Sequence, residues 1–338
     1  STRRKPKSIS SCLSARLSGA FACGFVEEFM CLRIARRSAS GYLLDMPELP
    51  EVETVRRGLA EVMEGRRIER IEVRRHDLRI PVPDDFNERL QGRTLEKMGR
   101  RAKYLVGEFD DGTILLAHLG MSGRMIIETP DNMTEKSASN IPGDFAHDPG
   151  NHAKHEHIVF HVGNGTVIRF SDPRRFGLMT LTDRENFADH KLIRHLGPEP
   201  TGEDFTGPVL AARLQGKRTP IKAALLDQRV VAGVGNIYAC EALFAAGLSP
   251  LRQAATVQGR RADRLAMAVR DVLADAIAAG GSSLRDHVAP TGELGYFQHS
   301  FKVYGRTGEP CPGCDCGQSV QRIVQSGRST FYCTKRQR

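Results

Sequence analysis

The stretch MPELPEVETVRRGL, residues 46–59, determines how the chain around it is read. Pro50 suits the first turn of a helix, and the carboxylates of Glu51 and Glu53 suit its positive dipole end. Apolar side chains then recur at helical spacing, at Val52, Val55, Leu59, Val62 and Met63. We therefore predict an amphipathic helix that begins here and packs one face on a core.

Short segments rich in β-branched and aromatic residues follow this helix and predict strands. Residues 68–128 contain RIEVRR, KYLVGEF, TILLAHL and RMIIE, and further strands, HIVFHVG and TVIRFS, are joined by an Asn164-Gly165 hairpin signal. A polar loop over residues 129–153 separates the two groups. We predict a β-sandwich with one packed helix for residues 47–180.

Residues 181–300 change to helical periodicity. The segment TPIKAALLDQRVVAGVGNIYACEALFAAGLSP, residues 219–250, predicts two short helices around a glycine-rich turn, and the second begins at Asn236. A longer helix is predicted over residues 259–279. Residues 301–338 are strand-like and rich in Gly and Cys. The predicted fold class is therefore α+β, with a β-sandwich, a central helical domain and a small C-terminal β-hairpin module.

The composition limits the classes of partner. The net charge of +9 invites a polyanion, but the first 46 residues hold eight Lys/Arg against three Asp/Glu, so about half of the surplus lies there. Bulk charge is therefore weak support for nucleic-acid binding. The sequence contains no apolar run of about 18 residues, so we predict no transmembrane helix.

Residues 1–46 are basic and Ser-rich and show no settled period. They fit an organelle transit peptide, or upstream sequence translated through a misassigned start site. We favour the second interpretation and expect this extension to be no part of the active protein, for a chemical reason that concerns Pro47.

Pro47 can act as a nucleophile only at a chain terminus. Inside a chain it is a tertiary amide, but removal of Met46 would leave a secondary amine. An α-amino group has a pKa of about 7.7–8.0, against about 10.4 for lysine, so much more of it is neutral at physiological pH. Such an amine can attack a sugar aldehyde carbon and form a Schiff base, with Glu48 as general acid and base. The alternative is that both residues only start the helix.

A set of motifs in fixed order resembles the formamidopyrimidine-DNA glycosylases, the bacterial enzymes that remove oxidised purines from DNA. The motifs are MPELPEVETVRRGL (46–59), RRAKYL (100–105), HLGMSGR (118–124), KHEH (154–157), SDPRRFG (171–177), GVGNIYACEALF (233–244), GYF (295–297) and VYGRTGEPC (303–311). PELPE alone is a weak signal, whereas the ordered set is very specific. The resemblance implies that the central domain is a helix-two-turns-helix domain and that residues 301–338 form a zinc-finger-like module.

The resemblance also implies catalytic roles. Pro47 would attack C1′ of the damaged nucleotide, and Glu48 would be its acid/base partner. Lys103 would lie near the lesion, and Arg328 would assist the second elimination. Because this chemistry needs a free amine, the active chain must begin at Pro47.

Six further residues are implied to bind DNA. Enzymes that work on C1′ must extrude the nucleotide, so side chains that refill the base stack are expected. Met121, Arg174 and Phe176 would form this wedge, and the arginine would bond to the orphaned cytosine. His155, Lys217 and Asn236 would contact phosphates, and Asn236 could instead cap its helix.

The C-terminal cysteines depart from the family pattern of two Cys-x-x-Cys pairs. Cys311 and Cys314 form the first pair, but the second reads Cys333-Thr-Lys-Arg336. Arginine cannot replace a thiolate, and structural zinc normally takes four ligands. Cys316 is a candidate substitute in a tight part of the first knuckle. We expect one zinc ion per chain only if this fourth ligand is supplied.

The sequence therefore predicts a base-excision repair DNA glycosylase with AP lyase activity on 8-oxoguanine and formamidopyrimidines. The expected partner is double-stranded DNA with oxidised bases or abasic sites, and we expect a monomer without a membrane partner. The expected location is the bacterial cytoplasm, or an organelle if residues 1–46 are a transit peptide. Two alternatives are an oxidised-pyrimidine glycosylase of the endonuclease VIII branch and a non-catalytic lesion-binding homologue.

Overall fold

The computed structural model describes residues 47–130, 153–282 and 296–338. The predicted extension over residues 1–46 and most of the predicted polar loop lie outside these ranges.

The first helix, α1 (Leu49–Met63), forms as predicted. Glu48 precedes it, and its side chain and that of Glu51 form a reciprocal capping box at the first turn. The Glu48 N–H donates to Glu51 Oε2 at 2.9 Å. The apolar face predicted from the spacing, including Val52 and Leu59, is buried.

Two four-stranded antiparallel sheets form the N-terminal part and confirm the predicted β-sandwich. One sheet has the order β1-β6-β7-β5 and the other β2-β3-β4-β8. The strands are β1 (Ile68–Val73), β2 (Leu95–Arg101), β3 (Tyr104–Phe109), β4 (Thr113–His118), β5 (Arg124–Glu128), β6 (Glu156–Val162), β7 (Val167–Ser171) and β8 (Leu178–Asp183). A short helix, α2 (Phe86–Leu90), lies between β1 and β2. The core between the sheets is closed by the apolar face of α1.

The helical part contains α3 (Gly207–Leu214), α4 (Ile221–Leu226), α5 (Asn236–Ala245) and α6 (Arg260–Ala278). Helix α6 packs against α1, α3 and α5, so the helical part is built directly onto the first helix of the sandwich. Among the described residues, every helix is too short or too polar to cross a membrane.

The C-terminal part is a two-stranded antiparallel hairpin, β9 (Gln321–Gln325) and β10 (Arg328–Tyr332). Arg328 pairs with Gln325 next to the hairpin turn. Phe331 is buried, and its ring packs edge-on against Tyr304 at 4.9 Å between centroids. Helix α5 contacts β10, which joins the hairpin to the helical part.

Candidate functional site

Glu48 connects the start of the sandwich to the start of α5. Its carboxylate is 2% exposed and accepts the N–H groups of Ile237 at 2.8 Å and Tyr238 at 3.4 Å. These are N–H groups of the first turn of α5, which have no partner within the helix, and a carboxylate is favoured at that end of the dipole. Pro47, which precedes Glu48 in the chain, is also buried.

The GVG turn before α5 is shaped around this contact. A Cβ on Gly235 would lie 2.2 Å from Glu48 Cδ. Gly233 has φ +80°, and a Cβ there would lie 2.5 Å from Leu49 Cδ1. The Gly233 carbonyl accepts the Leu49 N–H at 3.2 Å. Both glycines are therefore required by the close approach of α1 and the turn.

Glu51 makes a second link between α1 and the helical part. Its Oε1 accepts the Tyr238 hydroxyl at 2.5 Å, the Ser282 N–H at 2.8 Å and the Ser282 hydroxyl at 2.9 Å. Burial, and next the neighbouring Glu51 carboxylate, raise the pKa of Tyr238 well above its usual value. Tyr238 therefore stays a neutral hydrogen-bond donor.

Asn236 does not cap α5, so that alternative is wrong. The N-cap is Gly235, and the Asn236 side chain bonds elsewhere. Lys222, which is fully buried, donates from Nζ to Asn236 Oδ1 at 2.6 Å, to Thr330 Oγ1 at 2.8 Å and to the Ser329 carbonyl at 3.0 Å. The ammonium group thus ties the first residue of α5 to the strand that carries Arg328.

Lys222 was missed by sequence reasoning. It lies in IKAALL, where Ile221, Ala224 and Leu225 are buried. A lysine inside so apolar a segment is a signal, because lysine is almost never fully buried without partners. The sequence contained that signal, but it did not identify the partners on β10.

Asp172 organises the loop between β7 and β8. It is fully buried, and its Oδ1 accepts the Ser122 hydroxyl at 2.5 Å while Oδ2 accepts the Gly177 N–H at 2.8 Å. Its own N–H donates to the His155 carbonyl at 3.0 Å. Asp172 therefore holds three of the motif segments together.

Met121, Arg174 and Phe176 lie on the two loops joined in this way. At Gly120, which has φ +68°, a Cβ would lie 2.4 Å from Phe176 C, so the loops touch backbone to backbone. The Arg174 guanidinium lies over the Phe176 ring, 5.1 Å from its centroid. Phe176 is 44% exposed, although it is a large apolar side chain. The structure thus brings the three predicted wedge residues to one edge of the sandwich.

Lys103 follows β2 in the RRAKYL turn and is 6% exposed. Arg100 anchors this turn to α1 through Glu53 at 3.0 Å, and Glu199 accepts the Ala102 N–H at 2.5 Å. The turn is therefore fastened on both sides, which fixes the point from which the Lys103 side chain extends.

His118 lies close to this lysine, at the end of β4. Burial, then the positive charges of Lys103 and Arg79, lower the pKa of His118 from 6.5 to about 4. The imidazole is neutral at physiological pH, and its Nδ1 accepts the Gly120 N–H at 2.9 Å. Its ring stacks at a tilt on Tyr104, 4.9 Å between centroids.

Lys217, a predicted DNA-binding residue, forms its ion pair away from the hydrogen bonds of Glu48, Glu51, Lys222 and Asp172. It pairs with Asp227 at 3.6 Å and is half-buried. Its carbonyl accepts the Ala255 N–H, which places it at the junction between α3 and α4.

Four cysteines converge beside the hairpin. The sulfur atoms of Cys311, Cys314, Cys316 and Cys333 all lie within 4.8 Å of one another. Cys316, the candidate substitute, has its Sγ 3.7 Å from that of Cys333. Four thiol groups in such a cluster are a suitable ligand set for one metal ion.

Two family models match the chain. The formamidopyrimidine-DNA glycosylase N-terminal domain matches residues 46–179, and the formamidopyrimidine-DNA glycosylase H2TH domain matches residues 196–288. Together they cover the sandwich up to the first residues of β8 and all of the helices α3 to α6. The Cys cluster and the hairpin lie beyond the second match.

Named proteins are similar over most of the chain. The formamidopyrimidine-DNA glycosylase of Brucella ovis is 54% identical over 294 residues, which cover 85% of this chain and 98% of the relative. The crystal structure of MutM (Fpg) from Thermus thermophilus is 38% identical with a TM-score of 0.72, and it covers 86% of this chain and 98% of its own. Lactococcus lactis Fpg, 33% identical with a TM-score of 0.72 and coverage of 86% and 99%, was solved with abasic-site DNA and with oxidised-pyrimidine DNA. The chain belongs to the formamidopyrimidine-DNA glycosylase family.

Proposed function

We propose that this protein is a bifunctional DNA glycosylase of base-excision repair, which excises oxidised purines from double-stranded DNA and then cleaves the strand. The observation that supports this most strongly is the position of Pro47 and Glu48. Both are buried, and the Glu48 carboxylate accepts two N–H groups at the amino terminus of α5. A helix start alone would not need a carboxylate shared with a helix almost 190 residues away in the chain.

The chemistry begins at the Pro47 amine, in the form of the chain that starts there. The neutral nitrogen attacks C1′ while the bond from C1′ to the base breaks, and the base leaves with a proton. Opening of the sugar ring gives an iminium ion, which acidifies the C2′ proton and permits β-elimination and then δ-elimination of the phosphates. Glu48 transfers protons in these steps, and Lys103 and Arg328 stabilise the departing phosphates.

The DNA contacts are proposed from the same arrangement. Met121, Arg174 and Phe176 fill the gap that the extruded nucleotide leaves, which is consistent with an exposed aromatic ring beneath a guanidinium. His155, Lys217 and Asn236 contact the phosphate backbone. Sequence-independent contacts of this kind position the duplex, whereas the wedge tests the opposite base.

We propose that zinc is the metal and that Cys316 takes the place of the missing cysteine, beside Cys311, Cys314 and Cys333. A zinc ion bound there would cross-link the segment 311–316 to Cys333, directly after β10. It would so support β10, which carries Arg328. We further propose the domain limits 47–180, 181–300 and 301–338, a monomeric state, and action in the bacterial cytoplasm.

Borohydride trapping tests the proposed nucleophile. The chain that begins at Pro47 is mixed with an 8-oxoguanine duplex and sodium borohydride, beside the full chain and a chain that retains Met46. Only the first should give a covalent DNA adduct, and Glu48→Gln in that chain should slow trapping at least about tenfold, since general acid–base groups typically contribute a hundredfold or more. Equal trapping by the chain that retains Met46 would exclude Pro47 as the nucleophile.

The oxidised-pyrimidine alternative is kept because a Lactococcus lactis relative was solved with such DNA. Incision of thymine-glycol duplexes, measured beside 8-oxoguanine duplexes at equal enzyme, separates the two substrate classes. We expect the purine lesion to be cut faster, and the reverse order would assign the chain to the pyrimidine class. A non-catalytic lesion binder would form no trapped adduct with either duplex.

A further inference from the structure

Arg336 stands where the family pattern has its fourth cysteine, and its side chain makes three contacts with other parts of the protein. Nη1 donates to the Gly313 carbonyl at 2.6 Å, and Nε donates to the Phe244 carbonyl at 3.3 Å. The guanidinium carbon lies 4.9 Å from the centroid of the Phe244 ring. The side chain is half-buried in this position. It joins the first cysteine knuckle to α5.

Gly313 shows how closely the three groups are packed. A Cβ added there would lie 2.8 Å from Phe244 Cζ and 3.0 Å from Arg336 Nε. The backbone of the knuckle, the aromatic ring and the guanidinium therefore leave no space for a methyl group. Since the contact is complementary in shape as well as in charge, it is more than a surface arginine resting on a helix.

The location on α5 favours a cation. The Phe244 carbonyl belongs to the last turn of α5, which carries the negative end of the helix dipole. A guanidinium there gains from the dipole, from a charge-assisted hydrogen bond and from the ring face. Glu48 takes the opposite end of the same helix, so α5 has a carboxylate at its start and a guanidinium at its end.

The residues after Arg336 also bond to the end of α5 and to the turn that follows it. The Cys333 N–H donates to Gln337 Oε1 at 2.8 Å, and Gln337 Nε2 donates to the Leu248 carbonyl at 3.0 Å. The Arg338 N–H donates to the Gly247 carbonyl at 3.1 Å. Each of these bonds has an oxygen atom as its acceptor, so none of them uses a sulfur atom that a metal ion would bind.

We infer that Arg336 is a positioning residue that fastens the C-terminal module to α5, so that β10 and Arg328 stay docked whether or not the cysteine cluster holds a metal ion. Cys316 then supplies the thiolate that position 336 no longer provides, and position 336 has acquired a different task. Only the statement that Cys316 replaces position 336 as a metal ligand rests on the proposed zinc site. The side-chain contacts of Arg336 with Gly313 and Phe244 involve no cysteine sulfur atom, whereas its backbone N–H donates to Cys333 Sγ at 3.5 Å.

Hydrogen exchange of the full chain, followed by mass spectrometry with and without a strong chelator, measures docking at the amides of residues 328–332. In the unchanged protein we expect chelation to speed exchange at these amides less than about threefold. The hydrogen bonds that Arg336, Gln337 and Arg338 make to residues 244–248 would keep the module docked, so exchange would still require local unfolding. Arg336→Ala should speed it about tenfold or more in the chelated protein, the factor expected from losing a charged hydrogen bond. Lys335→Ala, an exposed neighbour of equal charge, is the matched control and should behave as the unchanged protein does.

Two further variants separate positioning from general destabilisation. Arg336→Lys keeps the cation over Phe244 and should restore part of the protection. Arg336→Cys should make exchange at β10 strongly dependent on the chelator. In reactions of the chain that begins at Pro47, Arg336→Ala should lower the ratio of δ- to β-elimination product, while base release, which depends on the other end of α5, changes less than about twofold by the additivity of distant sites.

The outcomes are distinguishable from those for zinc. Native mass of the purified chain shows directly whether a metal is bound, and absence of metal would contradict the zinc proposal alone. Equal exchange in Arg336→Ala and Lys335→Ala would overturn the inference about Arg336. Full loss of protection in the unchanged protein on chelation would also overturn it, because the metal alone would then keep β10 docked on α5.

Discussion

Gly235 is a residue of the site at which one added methyl group would collide with a proposed catalytic side chain. A Cβ there would lie 2.2 Å from Glu48 Cδ and 2.4 Å from its Oε1. Gly235→Ala must displace the carboxylate from the Ile237 N–H or shift the turn. We expect the free energy of unfolding to fall by about 1–3 kcal/mol, as for other overpacked positions. Borohydride trapping by the chain beginning at Pro47 should fall at least about tenfold, since each 1.36 kcal/mol added to the barrier slows a reaction by that factor.

Gly99→Ala is the matched control for this prediction. Gly99 lies in β2, and a Cβ there would meet the Val106 carbonyl oxygen at 3.6 Å, an ordinary contact. Urea unfolding and trapping should both stay close to those of the unchanged protein. If Gly235→Ala lowers trapping and the free energy of unfolding no more than Gly99→Ala does, the Glu48 contact is not needed for the reaction.

His118 predicts a specific dependence of stability on pH. Its pKa is about 4 in the folded protein, against 6.5 as the ordinary value. Between these values the unfolded chain binds a proton that the folded protein does not, so stability is present above pH 6.5 and is lost as the pH falls towards 4. The shift corresponds to about 3 kcal/mol at most. His118→Asn keeps an acceptor for the Gly120 N–H but does not titrate, so its free energy of unfolding should depend less steeply on pH in this window.

Urea unfolding at pH 4.5, 5.5 and 6.5 measures that difference, and the comparison between variants cancels the titration of the carboxylates they share. His299→Asn, at an exposed position in a short turn, is the control. Parallel pH profiles for the unchanged protein and His118→Asn would show that the imidazole is not kept neutral by its surroundings.

At the scale of elements, the loop between β7 and β8 depends on one buried carboxylate. Asp172→Asn replaces an acceptor with an NH2 group that faces either the Ser122 hydroxyl or the Gly177 N–H. We expect a loss of about 1–3 kcal/mol from the unsatisfied donor. Because Arg174 and Phe176 lie on this loop, the Kd for an 8-oxoguanine duplex, measured by fluorescence anisotropy, should rise about tenfold for each 1.4 kcal/mol lost in the complex.

Asp77→Asn provides the comparison, because Asp77 lies in the segment after β1 and contacts the same loop. Asp77 pairs with Arg175 at 3.0 Å but is exposed, and exposed pairs contribute little. Its Kd should change less than about twofold. A large effect at Asp77 with none at Asp172 would show that surface charge, and not loop geometry, governs duplex binding.

Elements with strong periodicity were predictable and contacts between distant segments were not. The spacing of Val52, Val55 and Leu59 identified α1, and the apolar runs identified β3 to β7. Strand β2, with the sequence LEKMGRR, has too few apolar residues for its period to stand out. The motifs grouped Met121, Arg174 and Phe176, which lie on touching loops, and their role as a wedge stays a prediction. No local pattern could show that Glu48, and not Asn236, satisfies the first turn of α5.

At the scale of the whole molecule, α1 couples the sandwich to the helical part. Its apolar face closes the sandwich core, while Glu48 and Glu51 at its start accept hydrogen bonds from α5 and from Ser282 after α6. The proposed nucleophile therefore lies at the interface between the sandwich and the helical part, which we call the α1 seam and which Glu48 and Glu51 form with α5 and Ser282. Opening of that seam would separate Pro47 from the turn and from the β10 network that Lys222 ties to it.

A double-mutant cycle on Glu51 and Tyr238 tests how strongly this seam is coupled. The hydroxyl and the carboxylate are both buried and 2.5 Å apart, so Glu51→Gln, Tyr238→Phe and the double variant should give a coupling energy of about 1–3 kcal/mol in urea unfolding. The same cycle on Glu96 and Arg184, an exposed pair at 3.2 Å, should give about 0.5 kcal/mol or less. The single variants should also unfold with an unchanged m-value if the two parts remain one cooperative unit. A coupling no larger than that of the surface pair, with a reduced m-value, would mean that sandwich and helices unfold separately and that the site is assembled only on DNA.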